Sequence, residues 1–192
     1  MEIARPKWIS AAAPALLLTA ILACAGRAAA QEDPTETKPG AFIAAGGTLS
    51  AYKLDYGQHR MGGYSGYIDM NLTLNYGIEG EARWLVFNQQ ANVHATTWLV
   101  GPRVQFAPRI LRGVTPYVKF LVGDGKFNFP YNYAAGNYFV MAPGAGADLP
   151  VGQSKFIIRL IDVEYQDWPQ FSFGPMHSYG VSVGISYRFY TP

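Results

Sequence analysis

The stretch that decides the fold lies near the C-terminus, where residues 182–189 read Ser-Val-Gly-Ile-Ser-Tyr-Arg-Phe. Small or charged residues alternate there with apolar residues, and only Tyr190, Thr191 and Pro192 follow. A period of two predicts a β-strand whose two faces meet unlike surroundings. The alternation fits a soluble sandwich as well as a strand with lipid on one side and a polar interior on the other. The rest of the chain has to decide between them.

The first thirty residues have the layout of an export signal. Arg5 and Lys7 precede a mostly apolar stretch at residues 11–25, and an Ala-Ala-Ala sequence ends at Ala30. A basic region, a short apolar region and an Ala-x-Ala site are the parts of a cleavable signal peptide, which we predict for residues 1–30. The apolar stretch is short for a membrane-spanning helix, and a retained N-terminal anchor is the alternative.

Cys24 is the only cysteine of the chain. It ends the sequence Ile-Leu-Ala-Cys, which resembles a lipoprotein box but matches it poorly. Lipidation of Cys24 is therefore a second, weaker alternative to cleavage after Ala30. Cleavage after Ala30 leaves no cysteine, and the exported domain is then held together without disulfides. We predict a flexible leader at residues 31–40, one domain at 41–189 and a short tail at 190–192.

Composition argues against two classes, the nucleic-acid-binding proteins and the helical membrane proteins. Of the 15 basic and 13 acidic residues, three basic and one acidic residue lie in the signal peptide, so the exported chain has no net charge. A neutral chain lacks the electrostatic footprint of a nucleic-acid-binding protein. Charged residues make up only 15% of the sequence, against about a quarter in typical soluble domains. No segment after residue 30 approaches the roughly 20 apolar residues of a membrane helix, so any membrane segments are strands.

Alternation recurs in eight segments of about ten residues, near the length that a tilted strand needs to cross a bilayer. The segments are 41–52, 64–74, 78–87, 96–106, 117–126, 138–149, 156–168 and 179–189. The connections after the second, fourth and sixth segments are turn-like, whereas the others are mostly longer or richer in aromatic residues and Asn. An even strand number, with short turns on one rim and longer loops on the other, is typical of outer-membrane barrels. We therefore predict an all-β fold, an eight-stranded antiparallel up-and-down transmembrane β-barrel.

Nine charged residues fall on the polar face of these segments. They are Asp69, Glu79, Glu81, Arg83, Arg103, Lys119, Asp162, Glu164 and Arg188. The interior of an eight-stranded barrel is only wide enough for side chains, and buried charges need partners. We predict that these residues form a polar network that plugs the interior, with a narrow channel as the alternative if the pairs rearrange. In segment 156–168, a single alternation places Ile157 on the apolar face and Leu160 on the polar face.

The last strand carries a more specific signature. Ser182, Gly184, Tyr187 and Phe189 follow a polar-x-Gly-x-x-aromatic-x-aromatic spacing. With this strand, the signal peptide and the eight segments, the chain resembles the small outer-membrane β-barrel family, which includes the OmpA-type transmembrane domain and opacity-type adhesins. The resemblance covers residues 41–189. It implies that the barrel assembly machinery reads the last strand and that the protein lies in the bacterial outer membrane, in contact with its lipid, although family members usually end on the aromatic residue.

The connection at residues 127–138 is rich in Tyr and Asn. These residues supply rigid contact area and adaptable hydrogen bonds in binding loops. Tyr131, Asn132, Tyr133 and Asn137 are therefore candidates for binding a surface ligand. The alternative is that the aromatic side chains rest among the lipid headgroups.

The three histidines are the candidates for metal ligands or for a catalytic base. His59, His94 and His177 fall in connections that we predict on one rim, but they lack the close spacing of metal ligands, so we predict no metal and no cofactor. Some small outer-membrane barrels deacylate lipid A with a His–Ser pair. Here His177 and Ser178 are adjacent and would point to opposite faces of a strand, whereas His94 and Thr96 share a face but offer a poorer nucleophile, and no acidic orienting residue is evident. We predict a non-enzymatic, monomeric barrel; a lipid-modifying barrel enzyme and a soluble periplasmic lipocalin-like barrel are the alternatives.

Overall fold

A computed structural model describes most of the region after residue 40. The described residues are 41–55, 60–86, 93–106, 113–128, 135–152, 154–172 and 174–190. The strands in these ranges are β1 (Phe42–Leu54), β2 (Arg60–Asn71), β3 (Tyr76–Val86), β4 (His94–Gln105), β5 (Thr115–Asn128), β6 (Ala135–Pro150), β7 (Phe156–Trp168) and β8 (Met176–Tyr190). Among the described residues, no helix has the length and apolar character needed to cross a membrane.

The eight strands form one closed sheet. Each strand pairs antiparallel with the next in the chain, and β8 pairs antiparallel with β1. Closure removes the two sheet edges whose backbone groups would otherwise lack partners. The predicted all-β fold, an eight-stranded antiparallel up-and-down barrel, is confirmed.

The connections distinguish the two ends of the barrel. The turn rim carries the connections at 72–75, 106–114 and 151–155, and the loop rim carries those at 55–59, 87–93, 129–134 and 169–175. At the turn rim the Thr73 hydroxyl accepts a hydrogen bond from the Tyr76 amide (3.0 Å). A Thr hydroxyl that bonds to the backbone in this way stabilises the turn between β2 and β3.

The strands have 11 to 16 residues, and most are extended at the loop rim beyond the predicted bounds. Phe127 and Asn128 belong to β5 and Asn137 belongs to β6, so the connection expected at 127–138 is strand at both ends. At the turn rim, β8 continues to Tyr190, which pairs with β1. The last strand therefore reaches one residue beyond the expected bound of the barrel at residue 189.

Strand β7 contains a β-bulge. Its pairing with β8 shifts between Arg159 and Asp162, and both intervening residues, Leu160 and Ile161, are exposed. A bulge puts an extra residue into one strand, so two consecutive side chains share a face and the alternation changes phase. Ile157 is buried inside the barrel, on the same side as Arg159. The single alternation expected for this strand is therefore wrong for Ile157 and for Leu160.

The interior of the barrel has two unlike halves. The half next to the loop rim is an apolar cluster of Tyr52, Leu54, Met61, Leu85, Ala95, Leu99, Leu121, Phe127, Tyr138, Val140, Ala142, Trp168, Phe171 and Met176. The half next to the turn rim is polar and charged. Large apolar side chains such as Leu49, Trp98 and Val183 are exposed on the outer face, which suits a barrel wall in lipid. The apolar half of the interior is a feature that we did not predict.

Candidate functional site

Six strands place ten charged side chains in the polar half of the interior. The acids are Asp69 on β2, Glu79 and Glu81 on β3, Asp148 on β6, and Asp162 and Glu164 on β7; the cations are Arg83 on β3, Arg103 on β4, Lys119 on β5 and Arg159 on β7. Each of these residues is at most 6% exposed. Alternate residues of a strand share a face, which is why Glu79, Glu81 and Arg83 all point inward. We call these ten residues the charge network.

Lys119 lies at the centre of the charge network. Its Nζ is 2.7 Å from Asp162 Oδ2 and 2.8 Å from Glu79 Oε1. The same atom is 3.2 Å from Glu164 Oε2 and 3.4 Å from Glu81 Oε2. An ammonium group has three donors, so one lysine connects acids on the two strands β3 and β7 that do not pair with each other.

Arg103 and Arg159 hold the acids nearest the turn rim. Arg103 places Nη1 2.6 Å from Asp69 Oδ2 and Nη2 2.6 Å from Asp148 Oδ2. Arg159 places Nη2 3.1 Å from Asp69 Oδ2 and 3.0 Å from Glu79 Oε2. Each guanidinium therefore joins acids from two different strands, as its planar fork of donors allows.

Arg83 holds the acids nearest the apolar half. It lies 2.5 Å from Glu81 and 2.8 Å from Glu164. The Tyr52 hydroxyl donates to the same Glu164 oxygen (2.9 Å), and Gln166 Nε2 donates to it as well (2.8 Å). Tyr52 belongs to the apolar cluster, so it connects the two halves of the interior.

Tyrosine rings cover the guanidinium groups. The Arg83 guanidinium carbon is 4.5 Å from the centroid of the Tyr52 ring, and that of Arg103 is 3.9 Å from the Tyr117 centroid. Arg159 lies 3.7 Å from the Tyr67 centroid. Stacked rings supply cation–π attraction and exclude water from the ion pairs. Aromatic residues on the polar face of a strand are thus part of the charge network's surroundings.

The charge network has two more acids than cations, six against four. Oxygen atoms of Glu79, Glu81 and Asp162 lie within 4.8 Å of one another, a donor set of the kind that hard cations accept. Lys119 Nζ is within 3.4 Å of all three side chains. The ammonium group therefore serves as the cation of this carboxylate cage, and the chemistry that the cage supports is ion pairing across the interior.

The structure brings together eight of the nine charged residues predicted for the interior and leaves out Arg188. That residue is half-buried near the turn rim, its guanidinium carbon lies 4.4 Å from the Phe42 ring centroid, and its Nε has no hydrogen-bond partner among the described residues. Two members were missed. Arg159 was missed because the bulge shifts its face, and Asp148 because β6 is mostly Ala and Gly there, which weakens the alternation.

The four residues of the last-strand signature occupy both faces of β8. The Ser182 side chain is buried and lies 2.9 Å from the Ser50 hydroxyl on β1. A Cβ on Gly184 would lie 2.3 Å from the carbonyl oxygen of Gly47, so this position admits only glycine. Tyr187 and Phe189 are exposed on the outer face, with ring centroids 5.2 Å apart.

Three of the four loop-binding candidates, Tyr131, Asn132 and Tyr133, lie outside the described residues. Asn137 is exposed but belongs to β6, where it pairs with Lys126. Its expected position in a loop is wrong, since the strands of this hairpin continue further towards the loop rim than the sequence pattern indicated.

The two histidines that the structure describes lie in strands rather than in connections, where we expected them. His94 is the first residue of β4 and His177 the second of β8, and His59 lies outside the described residues. His177 Nδ1 is 2.8 Å from the Tyr165 hydroxyl and 3.1 Å from Asp167 Oδ1, so an acidic neighbour exists that the sequence did not indicate. Ser178 is buried on the opposite face of the strand, as alternation requires.

Comparisons with known proteins agree with this architecture. A model of a family described as outer membrane protein beta-barrel domain matches residues 15–189. The chain is similar in structure to Neisserial surface protein A, with 8% identity, a TM-score of 0.63 and coverage of 77% of this chain and 96% of the other. It is also similar to OprG from Pseudomonas aeruginosa, with 13% identity, a TM-score of 0.54 and coverage of 83% and 100%. It is similar as well to Ail of Yersinia pestis, with 19% identity, a TM-score of 0.51 and coverage of 79% of this chain and 99% of the other. No curated protein matches the sequence significantly.

Proposed function

Because the chain belongs to the outer membrane protein beta-barrel domain family, and is thus an outer-membrane protein, we propose that it is a non-enzymatic barrel with a closed interior that serves envelope integrity. The observation that carries the proposal is the burial of the charge network. Glu79, Arg83, Arg159 and Asp162 are 0% exposed, whereas a water-filled pore would leave such groups accessible. Separation of a buried ion pair is strongly destabilising, so rearrangement of the charge network into an open channel would be costly.

Ion conductance in planar lipid bilayers tests the closed interior. We expect the wild-type barrel to give no sustained conductance steps. Lys119→Gln removes the central cation of the charge network, and Lys126→Gln removes an exposed lysine from the same strand as a matched control. Steps that occur only with Lys119→Gln would support a network that closes the interior. Sustained steps from the wild-type protein would contradict it and favour the narrow channel.

We also propose the route by which the protein reaches the membrane. Export removes residues 1–30, and the barrel assembly machinery then reads β8 through its signature residues. The exposure of Tyr187 and Phe189 on the outer face supports this step. The closed sheet offers no free edge for a second chain, which supports a monomer in contact with outer-membrane lipid. N-terminal sequencing of the membrane-extracted protein checks cleavage after Ala30, and a fatty-acid mass on Cys24 would contradict it.

Surface interaction through the loop rim is the second candidate role. The Tyr- and Asn-rich composition of residues 129–134 supports it, because such residues are favoured in binding loops. A structure of the similar protein Ail was solved in complex with the heparin analogue sucrose octasulfate. Binding of whole cells to immobilised heparin, compared for the wild type and Tyr131→Ala/Tyr133→Ala, tests the candidate residues. Equal binding by the two strains would remove these tyrosines from the proposal.

The enzymatic alternative requires a nucleophile beside a histidine. Among the described residues His177 contacts Tyr165 and Asp167, and the adjacent Ser178 is buried inside the barrel. This arrangement supports the non-enzymatic proposal, because a hydroxyl on the opposite face cannot pass its proton to the imidazole. Release of fatty acid from lipid A, assayed with the wild type, His177→Ala and His94→Ala, is the test. Activity that either substitution abolishes would establish an enzyme.

A further inference from the structure

Two cations lie directly opposite each other on the outer face near the loop rim. Lys53 on β1 is the cross-strand partner of Arg60 on β2. Both side chains are exposed, whereas their neighbours Tyr52, Leu54 and Met61 are buried inside the barrel. Like charges directly opposite on a sheet destabilise it. An anion that binds between the two side chains would convert this repulsion into attraction.

The described contacts of the two cations include no carboxylate. Lys53 Nζ lies 5.8 Å from the centroid of the exposed Tyr179 ring on β8. Asp55 follows at the end of β1, and it forms no ion pair with either cation among the described residues. The positive charge of this pair is therefore available to a ligand, and Tyr179 borders it on one side.

A shallow recess lies directly below the two cations. The next outward pair towards the turn rim is Ala51 and Gly62, and a Cβ placed on Gly62 would meet nothing within 4 Å. The pair after that is Leu49 and Tyr64, which are 70% and 56% exposed and close the recess from below. Two small residues between a charged pair and a bulky pair leave room for a headgroup against the barrel wall.

Aromatic residues show at which level of the membrane this recess lies. The Tyr64 ring stacks on Trp84 with centroids 5.5 Å apart, and Trp84 contacts Trp98 edge to face at 5.5 Å. Such aromatic girdles mark the boundary between the hydrocarbon and the headgroups. Arg60 is four residues from Tyr64, which at about 3.3 Å per residue and a tilt of about 45° places it roughly 10 Å further out, among the headgroups.

We propose that Lys53 and Arg60 form a binding site for the phosphate of an outer-leaflet lipid, with Tyr179 beside it. The proposal rests on the outer-membrane placement above, with the loop rim outward. The planar guanidinium of Arg60 suits bidentate contact with phosphate oxygens, and the Lys53 ammonium adds a point charge. A lipid fits better than a soluble anion, because the two cations face away from the barrel axis, directly above a recess and an apolar wall. Loss of the site would loosen the lipid at this side of the barrel.

Titration of the detergent-purified protein with lipid A, followed by native mass spectrometry, tests the site. The substituted protein is Lys53→Gln/Arg60→Gln, and the matched control is Lys126→Gln/Lys155→Gln, which removes two exposed lysines that are not paired with each other. Phosphatase-treated lipid A and inorganic phosphate are the comparison ligands. The gel shift between unheated and boiled samples in SDS is recorded for every protein, so failure of the barrel itself is distinguished from failure of the site.

We expect lipid A to bind the Lys53→Gln/Arg60→Gln protein about 30-fold more weakly than the wild type, since each substitution removes a charge-assisted contact with the same phosphate, worth about a factor of five. The control variant should lose less than about threefold, because Lys126 and Lys155 are not paired and cannot contact one phosphate together. Removal of the phosphates should weaken wild-type binding to the level of the double variant. Equal affinities of the two variants would overturn the proposal. Wild-type binding of inorganic phosphate as tight as that of lipid A would overturn its assignment to a lipid.

Discussion

Replacement of Lys119 by methionine removes the cation at the centre of the charge network and keeps a side chain of similar length. In the native barrel, Lys119 Nζ lies 2.7 Å from Asp162 and 2.8 Å from Glu79. Glu79 retains Arg159 at 3.0 Å after the replacement. Among the described residues, Asp162 then retains only Arg159 Nη1, at 3.7 Å. The substitution therefore leaves Asp162, a fully buried carboxylate, with one long ion pair.

Removal of one partner from a buried pair costs about 3–5 kcal/mol, because the other charge stays buried without compensation. We expect Lys119→Met to lower the free energy of unfolding by about 4 kcal/mol. Addition of Asp162→Asn removes the charge that the first substitution orphaned. The double variant should recover about half of the loss, since an amide is less costly to bury than an uncompensated carboxylate.

Urea-induced unfolding of the barrel in lipid vesicles, followed by tryptophan fluorescence, measures these differences. Lys126→Met is the matched control, because Lys126 lies on the same strand with an exposed side chain and should change stability by less than about 0.5 kcal/mol. If Lys119→Met is as stable as Lys126→Met, the charge network does not stabilise the barrel. If the double variant is less stable than Lys119→Met, the reasoning from the orphaned carboxylate is wrong.

Three further predictions concern the wall and the apolar half. Trp168→Ala should lower the free energy of unfolding by about 3–5 kcal/mol in the same urea assay, because it opens a cavity where the ring is 1% exposed. Gly184→Val should abolish the gel shift of unheated protein in SDS, whereas Ser182→Ala should retain it, since only the first brings a Cβ against the β1 backbone. Leu160→Lys and Ile161→Lys should each destabilise the barrel by roughly 1–2 kcal/mol, because both face lipid; a loss with only one of them would contradict the bulge.

The fold could be predicted because barrel strands repeat one simple rule. Residues 182–189 alternate cleanly, and the structure places Val183 and Ile185 outward and Ser182 and Ser186 inward. The turn-like connection expected between the second and third segments is present, although it lies at residues 72–75. Period, turn residues and strand number are all local properties of the sequence, so they can be read without knowledge of the contacts.

The charge network could be predicted only where the alternation is undisturbed. The inward position of Arg159 was not predicted, because the bulge at Leu160 and Ile161 depends on how β7 pairs with its neighbours, which the local sequence does not encode. The ion-pair partner of each charged residue could not be predicted either, because it also depends on how the strands pair. Lys119 contacts acids on β3 and β7, and the choice among the acids depends on strand register and tilt rather than on sequence distance.

The apolar half of the interior could not be predicted, because both faces of the strands are apolar there. Trp84, Leu85 and Val86 are all apolar. Leu85 is buried inside the barrel, whereas Trp84 is half-buried and Val86 is exposed on the outer face. Where both faces of a strand are apolar, alternation no longer indicates which face is inside. The sequence predicts a loop at Phe127 because aromatic residues and Asn are common in loops, yet Phe127 is buried against Trp168 and Phe171.

The distribution of ion pairs favours one register of the barrel strands. Backbone hydrogen bonds connect only neighbouring strands, whereas Lys119 joins β5 to β3 and β7, and Arg103 joins β4 to β2 and β6. A slip of one residue would turn every inward charge of a strand towards lipid, where a single basic residue costs about 2–4 kcal/mol at the midplane. Such a slip in β3 would expose Glu79, Glu81 and Arg83 together and would break their cross-barrel pairs. We therefore expect the charge network to fix the register of strands that do not pair with each other.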